Sequence, residues 1–240
     1  MSYIEDNGYF IFGGVKSSDY GVWIGGGGTF NAPARRYKEY VVPGRNGTLT
    51  IDEGAYEEAE VTYPAFIARN FPANVEAFRN AIMAQNGYVR MTDSYHPNEY
   101  YLARYMAGLE ADTLPGGRGG SFDLTFRRDP RRFLLSGDEP VVFTQNDEIE
   151  NPTLFASNPF IRVTGDGTVN VGDAAITISP GYEYVDIDSE IQDCYCGLQN
   201  ANALVSFSTG KFPTLQPGVN GITMSGNVTE VQITPRWFIL

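Results

Sequence analysis

The sequence predicts a mainly β protein of two domains: an N-terminal β-sheet or sandwich unit with one packed α-helix, then a C-terminal β-sandwich. Three observations predict it. The chain sets 27 Gly and 14 Pro among 15 Phe and 15 Tyr, a mixture that favours many short strands joined by tight turns. The best helical spacing of apolar side chains is at residues 73–86. A polar break at about residues 134–152 divides the 240 residues into halves, each long enough to bury its own core.

Residues 9–15, Tyr-Phe-Ile-Phe-Gly-Gly-Val, read as a short apolar strand ending in glycines. Ser17-Ser18-Asp19-Tyr20-Gly21-Val22-Trp23-Ile24 follows as a turn and second strand. Trp23 is either a core residue or an inter-subunit anchor, with core the default. Gly25–Gly28 lacks the Lys-Ser/Thr ending and following helix of a phosphate-cradling loop, so it reads as a connection.

The organising stretch is Tyr40-Val41-Val42-Pro43-Gly44-Arg45-Asn46-Gly47-Thr48-Leu49-Thr50-Ile51. Branched and aromatic residues flank a compound turn in which Pro43 fixes φ, Gly44 can take positive φ, and Asn46-Gly47 adds a second turn signal. It reads as a hairpin with Arg45 at its tip, either merely solvated or a contact site. The acidic run Asp52–Glu60 is either a solvated strand edge or a negative rim facing a channel. Val61–Ala68 is the next strand, with Pro64 suggesting an edge or bulge.

In the helix, Val75, Phe78 and Ile82 share one stripe; Pro72 and Asn74 suit its start and Asn86-Gly87 its end. Strands at Gly87–Asp93 and Tyr100–Leu109 flank the turn Ser94–Asn98. His96 lies in that proline turn with no nucleophile motif beside it, and reads as a surface side chain. Pro115–Gly120 is a mobile loop, and Ser121–Arg127 alternates as a strand. Arg127, Arg128, Arg131 and Arg132 form the densest positive patch. With only Phe133 nearby for stacking, ion pairing to acids of this chain or an adjacent copy is preferred to a nucleic-acid groove.

Ser136–Pro140 is linker-like, and Asn151-Pro152 opens the second unit, giving domains at 1–137 and 138–240. Phe160–Thr164, Thr168–Val171 and Ala175–Ser179 are short strands split by Gly-Asp turns. Tyr184–Gln192 alternates, with Val185, Ile187 and Ile191 on one side and Asp186, Asp188 and Glu190 on a solvated face. A straight strand suits neither a calcium site nor a pair of carboxylates across a sugar cleft. Cys194 and Cys196 share a strand face, a poor geometry for a mutual disulfide, so free thiols are expected, as in a reducing cytoplasm. The opening Met-Ser-Tyr-Ile-Glu-Asp suggests no secretion signal, and no apolar run approaches a membrane span. No catalytic constellation, metal set or cofactor motif is apparent.

The formal net charge is -12, which argues against nucleic acid as a bound ligand but not against DNA that passes by an acidic wall. Arg outnumbers Lys fourteen to three (the lysines are 16, 38 and 211), a bias that suits interfaces.

Several motifs together resemble the distal tail proteins of long-tailed bacteriophages. They are Ser-Asp-Tyr-Gly-Val at 18–22, Val-Pro-Gly-Arg-Asn-Gly-Thr-Leu at 42–49, and Asp93-Ser94-Tyr95-His96-Pro97 after a helix and strand. Asp129-Pro130-Arg131-Arg132-Phe133, the Asn-Pro pairs at 151 and 158, Leu215-Gln216-Pro217-Gly218-Val219-Asn220 and Pro235-Arg236-Trp237 continue the series. The resemblance spans nearly the whole chain. It implies a galectin-like C-terminal sandwich, although no sugar-binding motif is matched. It also implies a non-enzymatic subunit of a hexameric ring at the virion tail tip, made in the host bacterial cytoplasm. Such a ring joins the tail tube to the tail-tip and receptor-binding proteins and leaves a channel for DNA without specific binding. The expected contact residues are Pro43, Gly44, Arg45, Asn46 and Gly47. The alternative reading is a carbohydrate-binding module recognising cell-surface glycans.

Overall fold

The computed structural model describes residues 8–25, 31–114, 116 and 118–240. The expectations for the first six residues, for Gly26–Gly28 and for Pro115 and Gly117 lie outside the described residues. The chain is mainly β with one α-helix among the described residues. It divides into two compact units, one ending at Arg132 and one spanning Phe133–Ile239, with Leu240 grouped with the first.

In the first unit the strands lie in the spatial order Val15–Lys16, Phe10–Phe12, Val89–Asp93, Glu99–Tyr105, Gly120–Leu134, Ala59–Ile67 and Val22–Ile24. The sheet curls until its flanks meet, where Gly8 and Ile24 exchange two backbone hydrogen bonds of 3.2 and 2.8 Å. Alternation decides which side chains face the enclosed core. Val61, Tyr63, Ala65 and Ile67 are buried, while Glu60, Thr62 and Pro64 face out. Phe126 sits among Phe10, Phe12 and Tyr105, with ring centroids 5.1–5.3 Å away.

The helix runs Phe71–Met83, displaced from the expected 73–86. Buried Phe71 draws the start forward, and Ile82 is its last buried residue, so nothing apolar anchors another turn. Phe78 and Ile82 are buried, and Val75 packs against the same core.

Pro64 does not mark an edge strand, because Ala59–Ile67 is paired on both sides. The N and C=O of one residue in an antiparallel pair point the same way. The Pro64 carbonyl accepts from Gly25 N–H at 2.8 Å, so the missing Pro64 N–H faces the point where the Val22–Ile24 strand stops. The ladder to Gly120–Arg128 loses nothing.

Two core expectations are corrected. Trp23 is not a core residue: Val22 and Ile24 take the inward positions, leaving Trp23 half-buried on the outer face opposite Phe66. His96 is not a surface side chain but buried, with Nδ1 3.0 Å from Asp93 Oδ1. Asp93 is the reason: it accepts the backbone N–H groups of Tyr95 and His96 and the Tyr63 hydroxyl, folding the turn inward.

The second unit is a sandwich. One sheet orders Val141–Phe143, Glu230–Thr234, Phe160–Thr164, Tyr184–Asp188, Asp193–Cys196 and Gln199–Asn200. The other orders Asp147–Asn151, Gly218–Gly226, Gly167–Val171, Ala174–Ile178 and Val205–Phe207. Their inward residues, among them Ile161, Val163, Val169, Ile176, Ile187, Ile222 and Val231, form one core. Segments 141–143 and 147–151, inside the expected break, are strands of this sandwich.

The Tyr184–Asp188 strand corrects another expectation. Asp186 and Asp188 are buried, not solvated. Arg162 Nε and Nη2 donate to Asp186 at 2.6 and 2.8 Å, and Arg236 Nη1 and Nη2 donate to Asp188 at 2.6 and 2.9 Å. The strand ends at Asp188, so Ile191 turns outward and is exposed.

The matched motifs are structural ties. Asn151 Nδ2 donates to the carbonyls of Phe155 and Leu215, and its Oδ1 accepts from Thr153. Asn220 closes its turn by donating to the Gln216 and Gly218 carbonyls and accepting from Gln216 N–H. Trp237 is buried in the core, and a Cβ on Gly137 would lie 2.3 Å from its backbone nitrogen.

Candidate assembly interface

The Tyr40–Ile51 stretch forms an arm of the first unit. Among the described residues, strands Arg35–Val41 and Thr48–Tyr56 pair only with each other, as a separate two-stranded sheet. At the tip, Arg45 N–H donates to the Val42 carbonyl at 3.2 Å, with Pro43 and Gly44 between them and Gly44 at φ +80°. That is the pattern of a type II turn, and Gly44 supplies the positive φ it requires. Gly47, also at φ +80°, returns the chain to Thr48. Pro43, Gly44, Arg45, Asn46 and Gly47 are all exposed.

The base of the arm is tied by ion pairs. Arg35 meets Asp52 at 2.8 Å, Lys38 meets Glu53 at 2.5 Å and Arg36 meets Glu57 at 2.9 Å. Beyond the arm, Glu58 pairs with Arg104 at 2.7 Å and Glu60 with Arg127 at 3.1 Å. Every carboxylate of the 52–60 run therefore has a cationic partner in its own chain. Exposed pairs of this kind contribute little stability, and they leave little free negative charge for a rim. Arg45, by contrast, has no ion pair among the described residues.

Residues opposite one another share a face. Tyr40 lies opposite Leu49 and Lys38 opposite Ile51 on one face; Tyr37, Val41, Thr48 and Thr50 occupy the other. Tyr37, Tyr40, Val41, Val42, Leu49 and Ile51 are each 37–81% exposed. A two-stranded hairpin is at best marginally stable alone in water, and contiguous exposed apolar groups of this kind mark interaction sites. Covering these side chains would contribute about 1 kcal/mol or more each.

The arginine cluster is held within the chain. Arg131 pairs with Asp129 at 2.9 Å and Arg132 with Glu99 at 2.6 Å, alongside Arg127 with Glu60. Arg128 is the exception. It is buried, donates from Nη2 to the Asn31 carbonyl at 2.8 Å, and stacks 4.6 Å from the Tyr101 ring centroid. Sequence reasoning did not separate it from its neighbours, although alternation along Ser121–Arg128 puts it on the same face as the inward Phe122, Leu124 and Phe126.

Cys194 and Cys196 are free. Burial pushes the Cys194 thiol up to about 12, with the Asp193 charge adding to it. Among the described residues no group of three or more His, Cys, Asp or Glu could hold a metal ion, and no helix is long and apolar enough to cross a membrane.

No family model and no curated protein matches the sequence. Among solved structures the chain is similar to the SPP1 Dit (gp 19.1) protein, described as a paradigm of the hub adsorption apparatus in phages that infect Gram-positive hosts. The identity is 15%, covering 97% of this chain and 99% of that one, with a TM-score of 0.73. A second solved structure, the phage p2 baseplate in its activated conformation with Sr, gives 9% identity over 95% and 97% of the two chains and a TM-score of 0.47. The first likeness shows a shared fold over nearly the full length of both chains.

Proposed function

We propose that the chain is a structural, non-enzymatic subunit of a phage or prophage tail tip. Copies assemble into a hexameric ring between the tail tube and the tail-tip or receptor-binding proteins, leaving a channel through which DNA passes without specific binding. The observation that carries this reading is the arm, which exposes apolar side chains on both faces and has no covering layer among the described residues. Full-length likeness to an adsorption-hub protein supports it, as do the ordered tail-protein motifs. The arm, tipped by Pro43–Gly47, lies against a neighbouring copy, and the C-terminal unit is the docking surface for other tail components.

Arg45→Glu tests the tip. Arg45 is exposed and has no ion pair among the described residues, so its replacement should leave the protomer folded, with an unchanged melting temperature. In the ring it places a carboxylate where a cation docks. Light scattering on the wild type should report the oligomer and on the variant the single protomer. An unchanged oligomer refutes the role of the tip.

A further inference from the structure

Asparagine is among the thermolabile side chains. It is most exposed to attack where glycine follows, because the glycine nitrogen approaches the carboxamide with no Cβ in the way and the least restricted backbone. The chain carries four such pairs, beginning at Asn7, Asn46, Asn86 and Asn220. Asn7 lies outside the described residues. The other three differ in how the fold holds them.

Asn220 is locked. It is 2% exposed; its Nδ2 donates to the Gln216 and Gly218 carbonyls at 2.8 and 2.9 Å, and its Oδ1 accepts from Gln216 N–H at 2.8 Å. Gly221 lies inside the strand Gly218–Gly226, opposite Glu148. Bringing the carboxamide onto the Gly221 nitrogen would break all three bonds at once.

Asn46 is the opposite in each respect. It is exposed at the tip of the arm, and its side chain makes no hydrogen bond among the described residues. Gly47 stands at φ +80° with open space where a Cβ would be. Strand pairing resumes only at Thr48, opposite Val41, and no hydrogen bond among the described residues holds the Gly47 N–H. Asn86 is exposed too, with Gly87 at φ +69°, but it follows the helix and is not on the arm.

We propose that Asn46 is a site of spontaneous deamidation, and that the change works as a chemical clock on the arm. The Gly47 nitrogen gives up its proton to hydroxide and bonds to Asn46 Cγ. The Cγ–Nδ2 bond breaks and ammonia leaves, closing a five-membered cyclic imide. Water adds to one imide carbonyl and reopens the ring. Opening on one side yields aspartate; opening on the other yields isoaspartate, whose main chain runs through the former side chain. In sum an amide and water become an acid and ammonia, with no oxidant and no enzyme. Either product is ionised at neutral pH and sets a carboxylate beside Arg45, the cation of the tip. Isoaspartate also lengthens the main chain by one carbon, within the turn that returns it to Thr48.

The consequence for assembly rests on the contact proposed above for the tip; the modification itself does not. A tip covered by a neighbouring copy is held still and shielded from water, whereas a free tip goes on reacting. Copies left unassembled therefore lose competence with time, and assembled copies keep it.

The test follows the full chain in mildly alkaline buffer, with peptide mass spectrometry reading the amide-to-acid mass gain at each pair. In dilute protein Asn46 should convert progressively, as should Asn86, while Asn220 keeps its amide until urea unfolds the second unit. Gly47→Ala should slow conversion at Asn46 several-fold and leave Asn86 unchanged. The site is overturned if Asn46 keeps its amide as long as Asn220 does, or converts as fast in Gly47→Ala. Light scattering reads the clock. Asn46→Asp should show a smaller oligomeric fraction than the wild type, and Asn46→Gln, which keeps a neutral amide, should not. Equal fractions for Asn46→Asp and the wild type overturn the clock. A wild type that stays a single protomer at every concentration overturns the ring reading and the clock with it, while the conversion rates still decide the site.

Discussion

Asn220 shows what one side chain does for the sandwich. It is buried, and its amide satisfies one backbone donor and two carbonyls of the 216–220 turn. Asn220→Ala strands those groups without offering water in exchange, so the second unit should lose about 2–4 kcal/mol in urea unfolding. Asn220→Asp keeps the acceptor but loses the donors, and should be little better. The two cysteines offer a second test at this scale. Cys194 is buried with its thiol pushed up to about 12, so at pH 8 it stays protonated and shielded, whereas Cys196 is half-buried. Iodoacetamide should modify one thiol per native chain, Cys196, and reach Cys194 only after denaturation; mass spectrometry of the digested protein would show equal labelling if this is wrong.

Among the elements, the Asp188–Gln192 loop has a defined dependence on acid. Burial alone would raise the Asp188 carboxyl, but the Arg236 hydrogen bond and charge, with the N–H groups of Glu190 and Ile191, outweigh it and hold it below its ordinary value. A carboxyl depressed in the folded state contributes stability above its unfolded value, about pH 4, and loses it as pH falls through the folded value. Unfolding of the second unit should therefore become easier below about pH 4, and Arg236→Met should remove that part of the acid dependence while costing roughly 2–4 kcal/mol at neutral pH. Equal acid slopes in the two proteins would contradict this. The same loop shows where sequence was legible and where it was not. Period-two alternation identified Phe160–Thr164, placed the Ala174–Ile178 strand one residue late at 175–179 and found the greater part of Ala59–Ile67 as 61–68, and the Pro-Gly-Arg-Asn-Gly turn identified the hairpin, because these signals are local. Alternation also put Asp186 and Asp188 opposite Val185 and Ile187, correctly, but not that Arg162 and Arg236 cover that face; Arg236 comes from 48 residues away. His96 failed for the same reason, since the Tyr63 hydroxyl that joins its Asp93 anchor is remote in sequence. The exposure of the arm, too, is a matter of tertiary pairing: among the described residues no third strand lies beside it.

For the whole molecule the controlling quantity is charge. Each copy carries a formal -12, so copies repel one another as they approach. Against this stand short-range terms: the exposed apolar side chains of the arm and Arg45 at its tip, which has no ion pair among the described residues. The two differ in range. At about 10 mM salt the screening length is about 30 Å, and the repulsion is felt at long range; at 150 mM it is about 8 Å, and only groups near contact still interact. Apolar burial is not screened at all. Raising salt from about 10 to 150 mM should therefore strengthen self-association, seen as a shift to the larger species in sedimentation velocity at fixed protein concentration. If the Arg45 contact dominated, the same titration would dissociate the assembly. Tyr40→Ser with Leu49→Ser decides between the terms from the other side: losing apolar area should weaken association at both salt levels and leave the direction of the salt effect unchanged. The same charge bears on the proposed channel. Labelled duplex DNA mixed with the protein at 150 mM salt should tumble as free duplex in fluorescence anisotropy, because a chain of net charge -12 whose arginine cluster is ion-paired releases few counterions from phosphate. A salt-sensitive rise in anisotropy would mean that the arginines tied up by Glu60, Glu99 and Asp129 can be surrendered to a polyanion, and would contradict a proposed channel that lets DNA pass without binding it.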